Sequence, residues 1–176
     1  MSDMEDRRRV CWVITGAGHF LRETAGFLTG AKNISGDLYY TRAGREVAAM
    51  YRVTERIGES GFKIFYEDDF SSRGAIYFSG GRYRALVIAP ATANTIAKCA
   101  LGIADSLSSN FFAQAGKSSV PIFVLPTDAE REISSVTPSG VRIEVIPRRI
   151  DLARIEELRS FSGVTVLRSP EEFYKI

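Results

Sequence analysis

The chain is poor in several residue types that mark particular functions. It has one histidine and two cysteines in 176 residues. Cys11 and Cys99 are too few for a disulfide scaffold and lack the spacing of a zinc site, so we expect a cytoplasmic protein without a metal. Lys and Arg number 23 against 21 Asp and Glu, which gives no reason to expect nucleic-acid binding. No apolar run reaches the roughly 20 residues of a membrane helix, so no membrane association is expected.

Apolar segments alternate with helical patterns along most of the chain. Strands are predicted at 10–15, 38–40, 62–66, 85–89, 120–125, 141–146 and 164–167. Helices are predicted from His19 to Gly30, along 47–54, from Thr92, and at 106–116, 152–158 and 169–172. The segment 67–83 has no clear assignment. This alternation predicts an α/β fold, a Rossmann-like (flavodoxin-like) doubly wound, mostly parallel sheet in a single three-layer domain. We expect that domain to span residues 10–176, after a flexible tail at 1–9.

The residues of the loops after the first two strands favour the binding of a phosphate group. Ligands of doubly wound sheets bind outside the carboxyl ends of the strands. After the first strand, residues 16–18 let the backbone approach a ligand, and the following helix offers free N–H groups to an anion, although a tight turn without a ligand is the alternative. Leu21 replaces the third glycine of the dinucleotide fingerprint. After the second strand, Thr41 and Arg42 suit a phosphate monoester better than a ribose.

The segment 89–95, Ala-Pro-Ala-Thr-Ala-Asn-Thr, is the most informative. Its small residues leave room for a flat ring, and Asn94 can both donate and accept hydrogen bonds; a capped helix start without a ligand is the alternative. With Gly-Ile-Ala-Asp-Ser-Leu at 102–107 and the loop at 14–19, it resembles the FMN-binding flavoproteins of the homo-oligomeric flavin-containing Cys decarboxylase superfamily. The opening at 12–23 is most similar to the branch of dihydromethanopterin reductases and archaeoflavoproteins.

The resemblance implies where FMN binds. The phosphate would lie at Gly16, Ala17, Gly18, His19, Thr41 and Arg42. The isoalloxazine ring would lie at Pro90, Ala91, Thr92, Asn94 and Thr95, with Asp105, Ser106 and Leu107 nearby. The same resemblance implies a homo-oligomer, a trimer or a dodecamer, with FMN at its subunit interfaces. It also implies a pterin substrate and an electron donor that is ferredoxin or linked to NAD(P)H.

The missing histidine decides between the activities of this superfamily. The decarboxylases of the superfamily that this chain resembles carry a catalytic His before the strand that leads to the 89–95 segment. In this chain, residues 67–84 contain no His. We therefore expect an FMN-dependent reductase that passes hydride from reduced FMN to a dihydropterin. The alternatives are a ferredoxin-linked electron-transfer flavoprotein, a decarboxylase of phosphopantothenoylcysteine or peptidyl-cysteine, and a non-enzymatic nucleotide-binding domain. The candidate proton donors are His19, Tyr39, Tyr40 and Asp128, among which the sequence does not choose.

Overall fold

The computed structural model describes residues 9–70 and 76–176, so the predicted tail at 1–9 lies outside the described residues except for Arg9. The strands are β1 (Val10–Ile14), β2 (Gly36–Tyr40), β3 (Phe62–Tyr66), β4 (Ala85–Ala91), β5 (Ile122–Pro126), β6 (Ile133–Val136), β7 (Arg142–Val145) and β8 (Val164–Val166). The helices are α1 (Leu21–Gly30), α2 (Arg42–Met50), α3 (Thr54–Gly58), α4 (Glu67–Phe70), α5 (Ile76–Ser79), α6 (Ala93–Ala100), α7 (Leu107–Lys117) and α8 (Arg149–Arg159), followed by a 3-10 helix (Pro170–Lys175).

Six strands form one parallel sheet in the order β3-β2-β1-β4-β5-β8. Every residue of β1, β2 and β4 is buried, which explains why β1 and β4 are apolar runs without alternation. The order reverses between β1 and β4, where Val13 pairs with Tyr39 on one side and Ile88 on the other. The predicted Rossmann-like doubly wound α/β fold is confirmed, and its switch point lies between β1 and β4.

Helices cover both faces of this sheet. One face packs on residues of α5, α6, α7 and α8, among them Phe78, Ile96 and Phe111. The other packs on α1, α2, α3 and the 3-10 helix, and Trp12 lies at its centre against Phe173 at 5.2 Å between ring centroids. The three layers bury enough apolar surface on each side to hold the strand ends in fixed positions. Within the described residues, no helix is both long and apolar enough to cross a bilayer.

Three predicted elements differ from the structure. The first helix begins at Leu21 and not at His19, because Phe20 has left-handed backbone angles (φ 65°, ψ 1°) that a helix cannot contain. The helix predicted along 47–54 ends at Met50, since Arg52 also has a positive φ of 56°, and α3 follows as a separate helix. The strand predicted at 141–146 exists as β7 but pairs antiparallel with β6, outside the main sheet.

Candidate functional site

A cleft of about 470 Å³ opens at the carboxyl ends of β1, β2 and β4. Ligand sites in open parallel sheets lie at this edge, next to the switch point, and this volume is in the range of small-molecule sites. Seven residues predicted from the sequence line it together, namely Gly16, Thr41, Arg42, Thr92, Asn94, Thr95 and Ser106. Five further residues line it that the sequence analysis did not assign, namely Thr15, Ala43, Glu46, Glu67 and Ser108.

Three helices begin at this cleft, each behind a hydroxyl cap. Thr41 accepts a hydrogen bond from the Gly44 N–H at 3.0 Å and so caps α2. In the same way Thr92 caps α6 through the Thr95 N–H at 3.2 Å. Ser106 caps α7 in a capping box with Ser109. The positive ends of three helix dipoles therefore meet around one cleft, which favours a bound anion.

The second residue of each of these helices leaves its backbone N–H unpaired. These residues are Ala43, Asn94 and Ser108, and all three line the cleft. Within the part of the chain that the structure describes, no group accepts a hydrogen bond from their N–H groups. Ser108 is buried whereas Ala43 and Asn94 are exposed, and free N–H groups at helix N-termini are satisfied by water or by a ligand. The cleft thus offers backbone donors of α2, α6 and α7 to an anion, whereas the sequence prediction assigned such donors to the helix after the first strand, which does not line the cleft.

Two backbones approach closely at one wall of the cleft. A Cβ on Gly16 would lie 2.6 Å from the Cβ of Ala43, closer than real methyl groups come. A Cβ on Gly44 would lie 2.2 Å from the carbonyl oxygen of Ile14. Glycines at 16 and 44 therefore let α2 begin directly against the end of β1. This contact fixes the distance between the two loops that were predicted to bind phosphate.

Gly18 and His19 do not join the cleft. The Ala17 N–H donates to the Thr15 carbonyl at 2.8 Å in a tight turn, and Ala17 itself is buried. Gly18 and His19 then line a separate cavity of about 200 Å³ beside the β6–β7 hairpin, whose strand β6 is held by a hydrogen bond from the Tyr51 hydroxyl to the Val136 carbonyl. Burial lowers the pKa of His19 from its ordinary value, against the opposing effect of Glu23. Gly18 and His19 thus lie apart from the cleft that Thr41 and Arg42 line.

The remaining predicted residues stand at the margin of the cleft. Pro90 and Ala91 are buried residues of β4 whose side chains do not line the cleft; their carbonyls accept hydrogen bonds from Thr15 and Thr127. Asp105 is exposed and pairs with Lys98 at 2.7 Å. Leu107 is buried and contributes its backbone N–H to a hydrogen bond with Glu67.

Glu67 is the main residue that the sequence analysis missed. Its Oε2 accepts a hydrogen bond from the Arg42 N–H at 2.9 Å, and its Oε1 accepts one from the Leu107 N–H at 3.1 Å. It belongs to the segment 67–83, which had no clear assignment. One signal could have indicated it, because Glu67 directly follows β3, whose carboxyl end lies next to that of β2 at the ligand-binding edge.

A doubly wound sheet with capped helix N-termini around a cleft at its switch point defines the class of phosphate-bearing cofactor binders. The model of the Flavoprotein family matches residues 1–175, and the chain belongs to that family. Membership confirms the predicted FMN flavoprotein superfamily, and FMN as its cofactor.

Relatives named for a reductase match most of the chain. A dihydromethanopterin reductase (acceptor) of Methanosarcina mazei is 30% identical over 235 residues, covering 96% of this chain and 98% of the relative. The reductase of the same name from Methanocaldococcus jannaschii is 39% identical over 131 residues, which are 68% of this chain and 53% of that protein. The crystal structure of Burkholderia xenovorans DmrB in complex with FMN, described as a cubic protein cage for redox transfer, superposes with a TM-score of 0.83 at 34% identity, covering 96% of this chain and 92% of DmrB.

Proposed function

We propose that this chain is an FMN-dependent reductase that passes hydride from reduced FMN to a dihydropterin. The observation that carries the proposal is the similarity to the Methanosarcina dihydromethanopterin reductase across nearly the full length of both chains. The described lining of the cleft supports it, because that lining contains hydroxyls, amides, carboxylates and Arg42 but no His, Cys or Lys. In such a site the redox chemistry belongs to the bound cofactor and the protein supplies position and electrostatics.

We place the FMN phosphate between the loops at Gly16 and at Thr41–Arg42. The structure fits a phosphate there because the N–H groups of Ala43 and Ser108 are unpaired and two helix dipoles converge on them. Bound FMN supplies reversible two-electron redox chemistry. Asn94 is exposed at the start of α6, and we assign to it a hydrogen bond with the flavin ring. Thr92 fixes the backbone at this position by capping α6 through the Thr95 N–H.

The candidate proton donors differ in access to solvent. Tyr39 and Tyr40 are fully buried, and burial raises the pKa of both above the ordinary value, so neither exchanges protons readily with a substrate. His19 lines a second cavity of about 240 Å³ with Phe20 and Thr127, beside Asp128. His19 and Asp128 remain the donors to test, and either can serve only if the pterin extends from the cleft into this cavity.

The placement of FMN can be tested with a matched pair of arginine variants. Arg42 lines the cleft, whereas Arg45 stands on the same helix with its guanidinium 4.5 Å from the centre of the Tyr66 ring. We expect Arg42→Met to weaken FMN binding about tenfold while riboflavin binding stays within about twofold, because only FMN carries the phosphate. Arg45→Met should leave both affinities unchanged. Equal effects of the two variants on FMN would contradict the placement.

The activity is tested by anaerobic turnover. Reduced FMN on the purified protein should be reoxidised on addition of dihydromethanopterin, with the tetrahydro product formed in equal amount. Reoxidation by a protein partner alone would instead identify an electron-transfer flavoprotein. Release of CO2 from phosphopantothenoylcysteine or a C-terminal peptidyl cysteine would identify a decarboxylase. Reduced ferredoxin and NAD(P)H with a flavin reductase are the two donors to compare.

We further propose that a second copy of the chain completes the flavin site in a homo-oligomer. Leu101 and Ile103 lie in the loop between α6 and α7, two helices that begin at the cleft, and are 58% and 43% exposed. Exposed large apolar side chains in one loop are typical of a subunit interface. Light scattering should show a trimer or a larger assembly built from trimers. Leu101→Arg should dissociate it and release FMN, and a monomeric wild type that retains FMN would contradict this.

A further inference from the structure

The carboxylate of Glu67 lies between the first residues of two helices. It accepts one hydrogen bond from the N–H of Arg42, the first residue of α2, and one from the N–H of Leu107, the first residue of α7. Thr41 and Ser106 cap these helices through their third residues, so their hydroxyls do not satisfy the first N–H groups. A single anion from the protein thus binds the positive ends of both helices.

The neighbouring acid binds the side chain of the same arginine. Asp68 accepts a hydrogen bond from the Arg42 guanidinium at 3.0 Å. Arg42 therefore has its backbone N–H on Glu67 and its side chain on Asp68, and both acids come from the start of α4. These two groups of Arg42 are also the ones that a phosphate monoester would use.

A phosphate bound between Gly16 and Thr41–Arg42 would lie at the same two helix N-termini as the Glu67 carboxylate. Two anions at one pair of helix N-termini repel each other, so a bound phosphate disfavours the Glu67 carboxylate in this position. Phosphate carries more charge than a carboxylate and has three acceptor oxygens, and it can also reach the unpaired N–H groups of Ala43 and Ser108. The exchange therefore favours phosphate, at the cost of removing Glu67.

We infer that Glu67 is an internal placeholder for the FMN phosphate. It holds the N-termini of α2 and α7 in the apoprotein, gives way when a phosphate-bearing flavin binds, and so sets how tightly FMN is bound relative to riboflavin. The inference rests on the proposed placement of FMN in this cleft. It adds to the proposed site a residue that lowers the affinity for the cofactor.

The test compares two acids of the same cleft. Glu46 also lines the cleft but accepts no hydrogen bond from a helix N-terminus among the described residues, so Glu46→Gln reports the general loss of a negative charge. Apoproteins of the wild type and of the two variants are titrated with FMN and with riboflavin by flavin fluorescence. We expect Glu67→Gln to tighten FMN about tenfold and to leave riboflavin within about twofold, with Glu46→Gln tightening FMN by at most about threefold.

A second variant separates the position of the carboxylate from its charge. Glu67→Asp keeps the charge but shortens the side chain by one methylene, so it no longer reaches both N–H groups. This variant should also tighten FMN, and inorganic phosphate should raise its unfolding temperature more than that of the wild type. FMN affinity that is unchanged or weaker in Glu67→Asp would overturn the inference, as would the same result in a folded Glu67→Gln.

These outcomes are distinct from failure of the proposed function. A wild type that binds FMN more tightly than riboflavin but reduces no dihydropterin would contradict the proposed activity. It would not contradict the inference about Glu67. A wild type that binds both flavins equally would overturn the placement of the phosphate and the placeholder with it.

Discussion

The side-chain hydroxyl of Thr15 accepts a hydrogen bond from the backbone N–H of Thr92 at 3.0 Å. The same hydroxyl donates to the Pro90 carbonyl at 2.8 Å, and Thr15 is only 2% exposed. The end of β1 is therefore joined to the end of β4 across the switch point of the sheet. Because Gly16 and Thr92 both line the cleft, this contact sets the separation of two of its walls.

Replacing Thr15 by Val tests this contact. The variant keeps the shape of the side chain but leaves the Thr92 N–H and the Pro90 carbonyl each without the hydroxyl, so we expect a loss of about 1–3 kcal/mol in the free energy of unfolding. Thr24→Val is the control, because the buried Thr24 hydroxyl has no hydrogen-bond partner among residues 9–70 and 76–176, and its removal should be neutral or stabilising. Urea unfolding measures both. Equal losses in the two variants would show that the bridge contributes nothing.

Replacing Gly16 by Ala tests the close approach of α2 to β1. The added methyl group would overlap the Cβ of Ala43, so we expect destabilisation by about 1–3 kcal/mol and weaker FMN binding. The double variant Gly16→Ala/Ala43→Gly should recover most of the FMN affinity, because it moves the methyl group from one backbone to the other. Gly30→Ala is the control, since outside its own helix no atom of the residues that the structure describes lies within 4 Å of the position that its methyl group would take. An absence of rescue would contradict the steric explanation.

Replacing Asp37 by Asn tests the buried charge at the amino-terminal edge of the sheet. Asp37 is fully buried and accepts hydrogen bonds from Arg9, from Arg82 at 3.1 Å and from the Tyr83 hydroxyl at 2.7 Å. Loss of its charge leaves Arg82 without its carboxylate partner, so the free energy of unfolding should fall by about 3–5 kcal/mol. The exposed pair of Lys98 and Asp105 is the control, and Asp105→Asn should cost less than about 1 kcal/mol. Thermal unfolding of both variants distinguishes the two environments.

Burial of Cys99 predicts a loss of stability in alkali. Burial raises the pKa of this thiol from its ordinary value of 9.0 to about 12. The folded chain therefore holds the proton more tightly than the unfolded chain, and the contribution is complete below pH 9 and is lost as the pH rises towards 12. Cys99→Ala should reduce the slope of unfolding free energy against pH in this window by up to about 1.4 kcal/mol per pH unit. Parallel slopes for wild type and variant would contradict this.

The fold was predictable because its signals are local. The apolar run at Val10–Ile14, the turn at Gly16 and the capping hydroxyls of Thr92 and Ser106 each act within a few residues. The predicted helix bounds differed from the structure where the apolar periodicity carried no information on the backbone angles. Phe20 and Arg52 have left-handed angles within segments whose apolar spacing is helical.

The candidate site was predictable where it follows strand ends, and seven of the predicted residues line one cleft. Glu67 also follows a strand end, but its contacts with two helix N-termini could not be predicted, because the N–H groups that it binds lie 25 and 40 residues away in the chain. Gly18 and His19 follow the same strand as Gly16, yet the turn at Ala17 leads them to a different cavity. Side-chain direction after a turn depends on backbone angles that no residue pattern specifies.

The sequence by itself determined the class of this protein, since the order of its strands and helices and the 89–95 segment already specified a flavoprotein of doubly wound fold. Only the tertiary structure decided which loops share a cleft, because the parallel strands bring Gly16, Thr41 and Thr92 to one edge of the sheet from distant parts of the chain. It also placed the Glu67 carboxylate on the first N–H groups of α2 and α7, a contact that exists only in three dimensions.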